Sequence, residues 1–228
     1  MKHYLLILST VISICSYGQF AIISDKDGFV NIRQEGRSNS KIVDSLENGH
    51  LVYCFEKQEN WVNIDYSKKT KELNGYIYKD RYRLVSEFLN IPIVSKKQNV
   101  VILKKDSIEV SLTQTRFEKN KHRIRYMKEY PDQIASIDNK RYWGKDGGMP
   151  TTQFDKIMIR IGQKTIVLPK TALEGLYEPT IYTAEVNFDT KTNTIYIQTM
   201  NSDAAGSYEV VWKIGNGIYK DRFIAYGF

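Results

Sequence analysis

The feature that most restricts this chain is the regular placement of turn residues between short runs of strand-forming ones. Asp25–Lys26–Asp27–Gly28, Glu47–Asn48–Gly49, Asn74–Gly75 and Gly215–Asn216–Gly217 are groups that reverse a chain. Gly adopts left-handed backbone freely, and Asn and Asp bond their own backbone. Between these groups the apolar positions are filled by Tyr, Ile, Val and Thr, which pack well on a pleated surface. Strands are predicted over 99–103, 107–113, 154–161, 164–168, 182–188, 194–199, 207–214 and 218–226. Helix signals are scarce. One short helix is expected over 169–176, with Pro169 in its first turn and Gly175 near its end. The fold class is therefore mainly β, and strands at this spacing suggest a sandwich or a barrel.

The first residues bear on the compartment. Lys2 and His3 precede an apolar run from Tyr4 to Ile14, and Ser16, Tyr17 and Gly18 place small residues where a signal peptidase reads. This is the layout of a secretory leader spanning 1–18, too short to cross a bilayer. Cys15 raises lipidation as an alternative. Ile14 before it, rather than a small residue, favours cleavage after Gly18, so no transmembrane segment is expected in the mature chain. Cys54 is then the one cysteine left, and no intramolecular disulfide can form. The 42% of apolar residues must supply the core, with Cys54 packed inside it.

A boundary is expected at 87–92, where Pro92 interrupts regular structure. It separates a first domain over 20–86 from a second over 93–228. The first carries an ordered set of motifs. They are Val30–Asn31–Ile32–Arg33, the polar loop Ser38–Asn39–Ser40, Leu46–Glu47–Asn48–Gly49, Asn60–Trp61–Val62–Asn63–Ile64, Asn74–Gly75–Tyr76–Ile77 and Tyr82–Arg83–Leu84. In this order and spacing they resemble the bacterial SH3 family (SH3b), with Asn60 where Gly is common and Tyr76 in the aromatic position. The resemblance implies a small SH3-like barrel, followed by a sandwich or barrel-like second domain. It also implies recognition of a cell-wall peptide or protein segment in a surface groove, with Trp61, Tyr76 and Tyr78 as the aromatic candidates. Ile32, Ile42, Leu46, Val52, Trp61, Ile64 and Ile77 stand at positions able to fill such a barrel. Trp61 and Tyr76 thus have core and groove readings side by side.

Residues 142–228 resemble an uncharacterised domain of exported bacterial proteins, through Tyr142–Trp143–Gly144–Lys145–Asp146–Gly147–Gly148, Leu168–Pro169–Lys170–Thr171–Ala172 and Asn201–Ser202–Asp203–Ala204–Ala205–Gly206–Ser207–Tyr208. Two of these runs set a carboxylate among small residues beside an aromatic. Trp143, Asp146, Asp203 and Tyr208 are therefore candidates for one partner-binding surface, the alternative being plain turns. Neither run has the alternating carboxylates of a calcium loop, so no metal is expected. Lys121, Arg123 and Arg125 would share one face of a strand. They form either a solvated face or a contact for an anionic envelope polymer.

The chemistry left open is narrow. The second domain has no cysteine and one histidine, His122, which removes Cys–His peptidase chemistry and a multi-histidine zinc site. No Gly-x-Ser-x-Gly elbow is present, and no cofactor or catalytic residue is assigned. The formal charge of +7 is interspersed with acids, and export argues against nucleic acid. The expected function is a non-catalytic binding protein of the cell envelope, periplasmic or extracellular. An immunity or inhibitor protein against a wall-targeting enzyme and a carboxylate-dependent hydrolase are the alternatives. If 1–18 is a leader, intact mass and N-terminal sequencing of secreted protein will give a chain starting at Gln19; full-length cytoplasmic product would end the envelope reading.

Overall fold

The computed structural model describes residues 18–69 and 71–226; the leader expected over 1–18, with Cys15, lies outside these residues apart from Gly18. The chain is mainly β, 58% strand with no α-helix among the described residues. The first seven strands are β1 (Gln19–Ile23), β2 (Phe29–Arg33), β3 (Ile42–Glu47), β4 (Leu51–Gln58), β5 (Trp61–Lys68), β6 (Lys71–Tyr78) and β7 (Tyr82–Leu84). They form one antiparallel sheet in the order β3-β2-β6-β5-β4-β1-β7, curled into a half-barrel. Ala21, Ile23, Val30, Ile32, Leu46, Val52, Cys54, Val62, Ile64, Tyr66 and Ile77 fill the inside of the curl. Cys54 is buried as expected, and burial pushes its thiol up to about 12. Two of the expected core positions differ. Ile42 lies on the edge strand β3 and is exposed, and Trp61 is half-buried while its neighbour Val62 points inward.

The chain leaves the half-barrel through a single 3-10 turn, Val85–Glu87, and runs straight into β8 (Leu89–Ile91). The expected linker over 87–92 is therefore structured. Phe88 is buried, and β8 pairs with a strand nearly 100 residues later. Pro92 stands at the corner between β8 and β9 (Ile93–Lys97), where the chain passes from one sheet to another. A residue with no N–H suits that corner, and its carbonyl still accepts from Lys104 N–H at 2.9 Å.

Beyond β9 come β10 (Val100–Lys105), β11 (Ile108–Arg116), β12 (Ile124–Tyr126), β13 (Ile134–Ile137), β14 (Thr152–Ile161) and β15 (Lys164–Val167). The last strands are β16 (Glu185–Asp189), β17 (Thr194–Asn201), β18 (Tyr208–Gly215) and β19 (Ile218–Tyr226). An outer sheet runs β15-β14-β11-β10-β9, a central sheet runs β19-β18-β17-β16-β8, and β12-β13 is a separate ribbon. The expected helix over 169–176 is a single 3-10 turn, Lys170–Ala172, after which Glu174 donates back to Lys170. Gly175 then takes a left-handed φ of 77° and ends any helical course. Its carbonyl accepts the Trp143 N–H at 2.8 Å instead.

The central sheet holds the layers together. On one face Val186, Ile195, Ile197, Val210, Trp212 and Ile214 meet Val101, Leu103, Val110, Leu112, Ile157 and Ile159 of the outer sheet. On the other face Tyr196, Val211, Phe223 and Ala225 meet Phe20, Ile22, Leu51, Tyr53, Val85 and Phe88 of the half-barrel and the segment that follows it. Phe20 and Phe223 make an edge-to-face pair at 6.2 Å across this second core. Phe20→Ala should cost about 3–5 kcal/mol, as for other buried phenylalanines. In a double-mutant cycle with Phe223→Ala the two should couple by roughly 0.5–1.5 kcal/mol. Urea unfolding should show one transition; two transitions, or simple additivity, would show that half-barrel and sandwich unfold independently.

Candidate functional site

Strand alternation places the aromatic candidates of the half-barrel together. Along β5, Val62, Ile64 and Tyr66 are buried while Trp61, Asn63 and Asp65 are half-exposed. Along β6, Gly75 and Ile77 are buried while Tyr76 and Tyr78 are half-exposed. The register sets Trp61 opposite Tyr78, Asn63 opposite Tyr76, and Arg33 of β2 opposite Tyr76. Trp61 and Tyr78 meet edge-to-face at 5.5 Å, and the Arg33 guanidinium lies 5.9 Å from the indole. Arg33 is held there by donating to the Ser40 carbonyl at 2.6 Å. The Ser40 hydroxyl also accepts the Glu35 N–H at 2.9 Å, which bends the loop between β2 and β3. Gly36 in that loop lies against both rings. A methyl there would meet Trp61 Cβ at 3.1 Å and Tyr76 Cδ1 at 3.2 Å. Gly75 serves the backbone: a Cβ would fall 2.4 Å from Ile32 Cγ2, so only glycine lets β6 approach β2.

The two carboxylate-bearing loops of the second domain also meet. The Ser202 hydroxyl donates to the Gly144 carbonyl at 2.7 Å, and a Cβ on Gly206 would come within 3.0 Å of Gly144. Asp146 and Asp203 are exposed and Trp143 is half-buried. Tyr208 is different. It is fully buried in the sandwich core, 6.1 Å from the Trp143 ring, and its hydroxyl donates to the Tyr177 carbonyl at 2.9 Å. It cannot touch a partner, because β18 turns every even-numbered side chain from Tyr208 to Ile214 into the core. The Trp143 ring is itself covered on one side by Arg141, whose guanidinium lies 4.1 Å away and also pairs with Glu72 of the half-barrel. Nor do the nearby cations serve the two aspartates. Lys145 stands 3.8 Å from Glu178, and Arg222 donates to the carbonyls of Ala172 and Glu174.

Lys121, Arg123 and Arg125 are all exposed, alternating with half-buried His122 and Ile124. The single strand expected for them is absent. Lys121 closes a 3-10 turn and pairs with Glu118 at 2.7 Å, and only Arg125 lies within β12. The turn breaks the strand because His122 is pulled down between rings. It stacks on Phe117 at 4.6 Å and meets the edge of Tyr177 at 6.2 Å, with Nδ1 2.7 Å from Asp138 Oδ2.

His122 borders a cleft of about 620 Å³ between the 118–122 turn, the end of β13 and the 170–177 segment. The cleft was not legible from motifs: its polar groups come from five separated stretches. The one usable signal was a lone histidine inside the basic stretch. Its rim charges are paired, Lys121 with Glu118 and Lys140 with Glu174. Burial pushes the Asp138 carboxyl up, but bonds from His122 and the Arg123 N–H outweigh it and hold the group below the ordinary aspartate range. Burial, with Asp138 and Glu174 nearby, pushes the Tyr177 phenol far above its usual range. Among the described residues no group of three or more His, Cys, Asp or Glu could hold a metal ion, and no helix is long and apolar enough to cross a membrane.

These placements separate structural from surface residues. Tyr208→Phe should lower stability by about 1–3 kcal/mol, since it strands a buried carbonyl. Asp146→Ala and Asp203→Ala should each stay within about 0.5 kcal/mol, as exposed positions do. Thermal melts of the three variants check this, and a Tyr208→Phe protein as stable as the parent would contradict the buried hydrogen bond. No protein family, curated protein or solved structure matches this chain.

Proposed function

We propose that this chain is an exported, non-catalytic binding protein of the bacterial cell envelope. In this reading its half-barrel holds an extended cell-wall peptide or protein segment across Trp61, Tyr76 and Tyr78. The observation that carries it is the shared outward face of three rings from two paired strands, with Arg33 beside them. Extended peptides lie well on such ridged aromatic surfaces, because their bound shape costs little entropy. The Arg33 guanidinium adds a fork suited to a peptide carboxylate.

Two further points support this face over others. Phe20, Ile22, Leu51 and Tyr53, also on the outside of the curl, are already covered by the central sheet. The aromatic triad is half-exposed. The exposed cations Lys121, Arg123 and Arg125 suit a secondary contact with an anionic envelope polymer. The leader layout and the SH3b motifs agree with the same compartment.

Co-sedimentation with purified wall sacculi, and calorimetric titration with soluble wall peptides, test the reading. Tyr76→Ala and Tyr78→Ala should each weaken binding by about tenfold or more, as interface aromatics do. Trp61→Ala should do the same with a smaller stability loss than the roughly 3–5 kcal/mol of a fully buried ring. A parent protein that leaves sacculi and wall peptides unbound would refute the proposal, as would triad variants that bind normally.

A further inference from the structure

The cleft beside His122 has a polar economy that sets it apart from the aromatic face. Its acids are all engaged. Glu118 pairs with Lys121, Glu174 with Lys140, Asp138 with His122 and the Arg123 N–H, and Asp155 accepts the Thr113 hydroxyl at 3.0 Å. Three groups on the cleft wall are unspent among the described residues. Lys170 has no carboxylate partner. His122 uses Nδ1 and keeps Nε2. Tyr177 is 5% exposed, yet its hydroxyl bonds to no described group.

The Tyr177 ring is buried, but its hydroxyl keeps access to the cleft, where it is available to a ligand. The Tyr177 hydroxyl can donate and Lys170 brings a full positive charge, with His122 on the same wall; that set fits an anionic oxygen group. The rest of the wall is apolar: Ile137, Phe154, Leu173 and Leu176 are buried or half-buried and line the same space. A volume of about 620 Å³ lies in the range of small-ligand sites. Opposite polarity in one cleft asks for a ligand with both characters.

We infer that this cleft is a second binding site, taking a carboxylate attached to a short apolar body, with Lys170, Tyr177 and His122 receiving the carboxylate. Two sources share that chemistry, a small organic acid and the free C-terminus of a short apolar peptide. The Asp138 bond fixes the imidazole's orientation, as carboxylate partners of functional histidines do. The inference is independent of the aromatic face and stands or falls separately from it.

Methyl and histidine-ring NMR of the full chain provides the test. The probes are hexanoate, hexanamide, hexylamine, and a leucyl-leucine dipeptide with free or amidated C-terminus. Hexanoate and the free dipeptide should shift Ile137, Leu173, Leu176 and His122 signals, and the amides should bind about tenfold more weakly or not at all. Stronger binding of the free dipeptide than of hexanoate assigns the site to peptide termini; the reverse assigns it to organic acids. Lys170→Met and Tyr177→Phe should each reduce carboxylate affinity severalfold. Lys170 is exposed and unpaired, so its variant will fold even if the Tyr177 variant does not. Tyr76→Ala should leave these shifts unchanged. Equal response to acid, amide and amine, or full carboxylate affinity in Lys170→Met, would overturn the inference.

Discussion

Strands β17 and β18 are buried on both faces, and the rest of the molecule is arranged around that fact. Ile195 and Ile197, with Val210, Trp212 and Ile214, face the outer sheet, while Tyr196 and Val211 face the half-barrel. A strand covered on both sides does not strictly alternate apolar with polar residues, and each of these has an unbroken apolar stretch, Ile195–Ile197 and Val210–Trp212. The polar groups they do carry are satisfied internally. Trp212 Nε1 donates to the Ala172 carbonyl at 2.7 Å, which ties the loop after β15 to the core. Tyr208 does the same for the Tyr177 carbonyl. One hairpin therefore positions both walls of the sandwich and one side of the cleft.

The same hairpin makes the half-barrel part of the whole. Across their interface the Tyr53 hydroxyl donates to Glu209 at 2.8 Å, and Lys213 donates to the Gly49 carbonyl at 2.6 Å. Burial pushes the Glu209 carboxyl up and the Lys213 ammonium down, each opposing its charged form. Hydrogen bonds to the half-barrel compensate part of that cost. The outside of a small curled sheet would ordinarily be solvated. Here β1 and the start of β4 are sealed, and the remaining open stretch of β5 and β6 is where Trp61, Tyr76 and Tyr78 stand. Binding surface and packing surface are two parts of one face, divided by how far the central sheet reaches.

The cleft follows a different logic. Its residues come from turns, not strands, and their charges largely cancel in pairs. What distinguishes it is availability: a tyrosine hydroxyl open to the cleft and an imidazole held by Asp138 through one nitrogen. The lone histidine in its basic stretch hints at the site, but the cleft that joins it to Tyr177 exists only in three dimensions.

Local chemistry alone determined the β character of this chain, most of its strand positions and the buried Cys54; whether Trp61 and Tyr76 face inward or outward was left open by it. The features it determined follow from turn residues, strand-forming side chains and the period of two, which need no knowledge of distant partners. What the tertiary structure decided is where the second layer lies. Residues 87–92 look like a linker because Pro92 stops local pairing, yet β8 finds its partner in β16, far along the chain. Residues 169–176 carry helix punctuation, yet Ala172 and Leu176 are drawn into the core and the Trp143 N–H donates to the Gly175 carbonyl. Tyr208 resembles a loop aromatic because its burial depends on a second sheet packing over it. Burial from two sides and hydrogen bonds to remote carbonyls are non-local, and no window of sequence contains them.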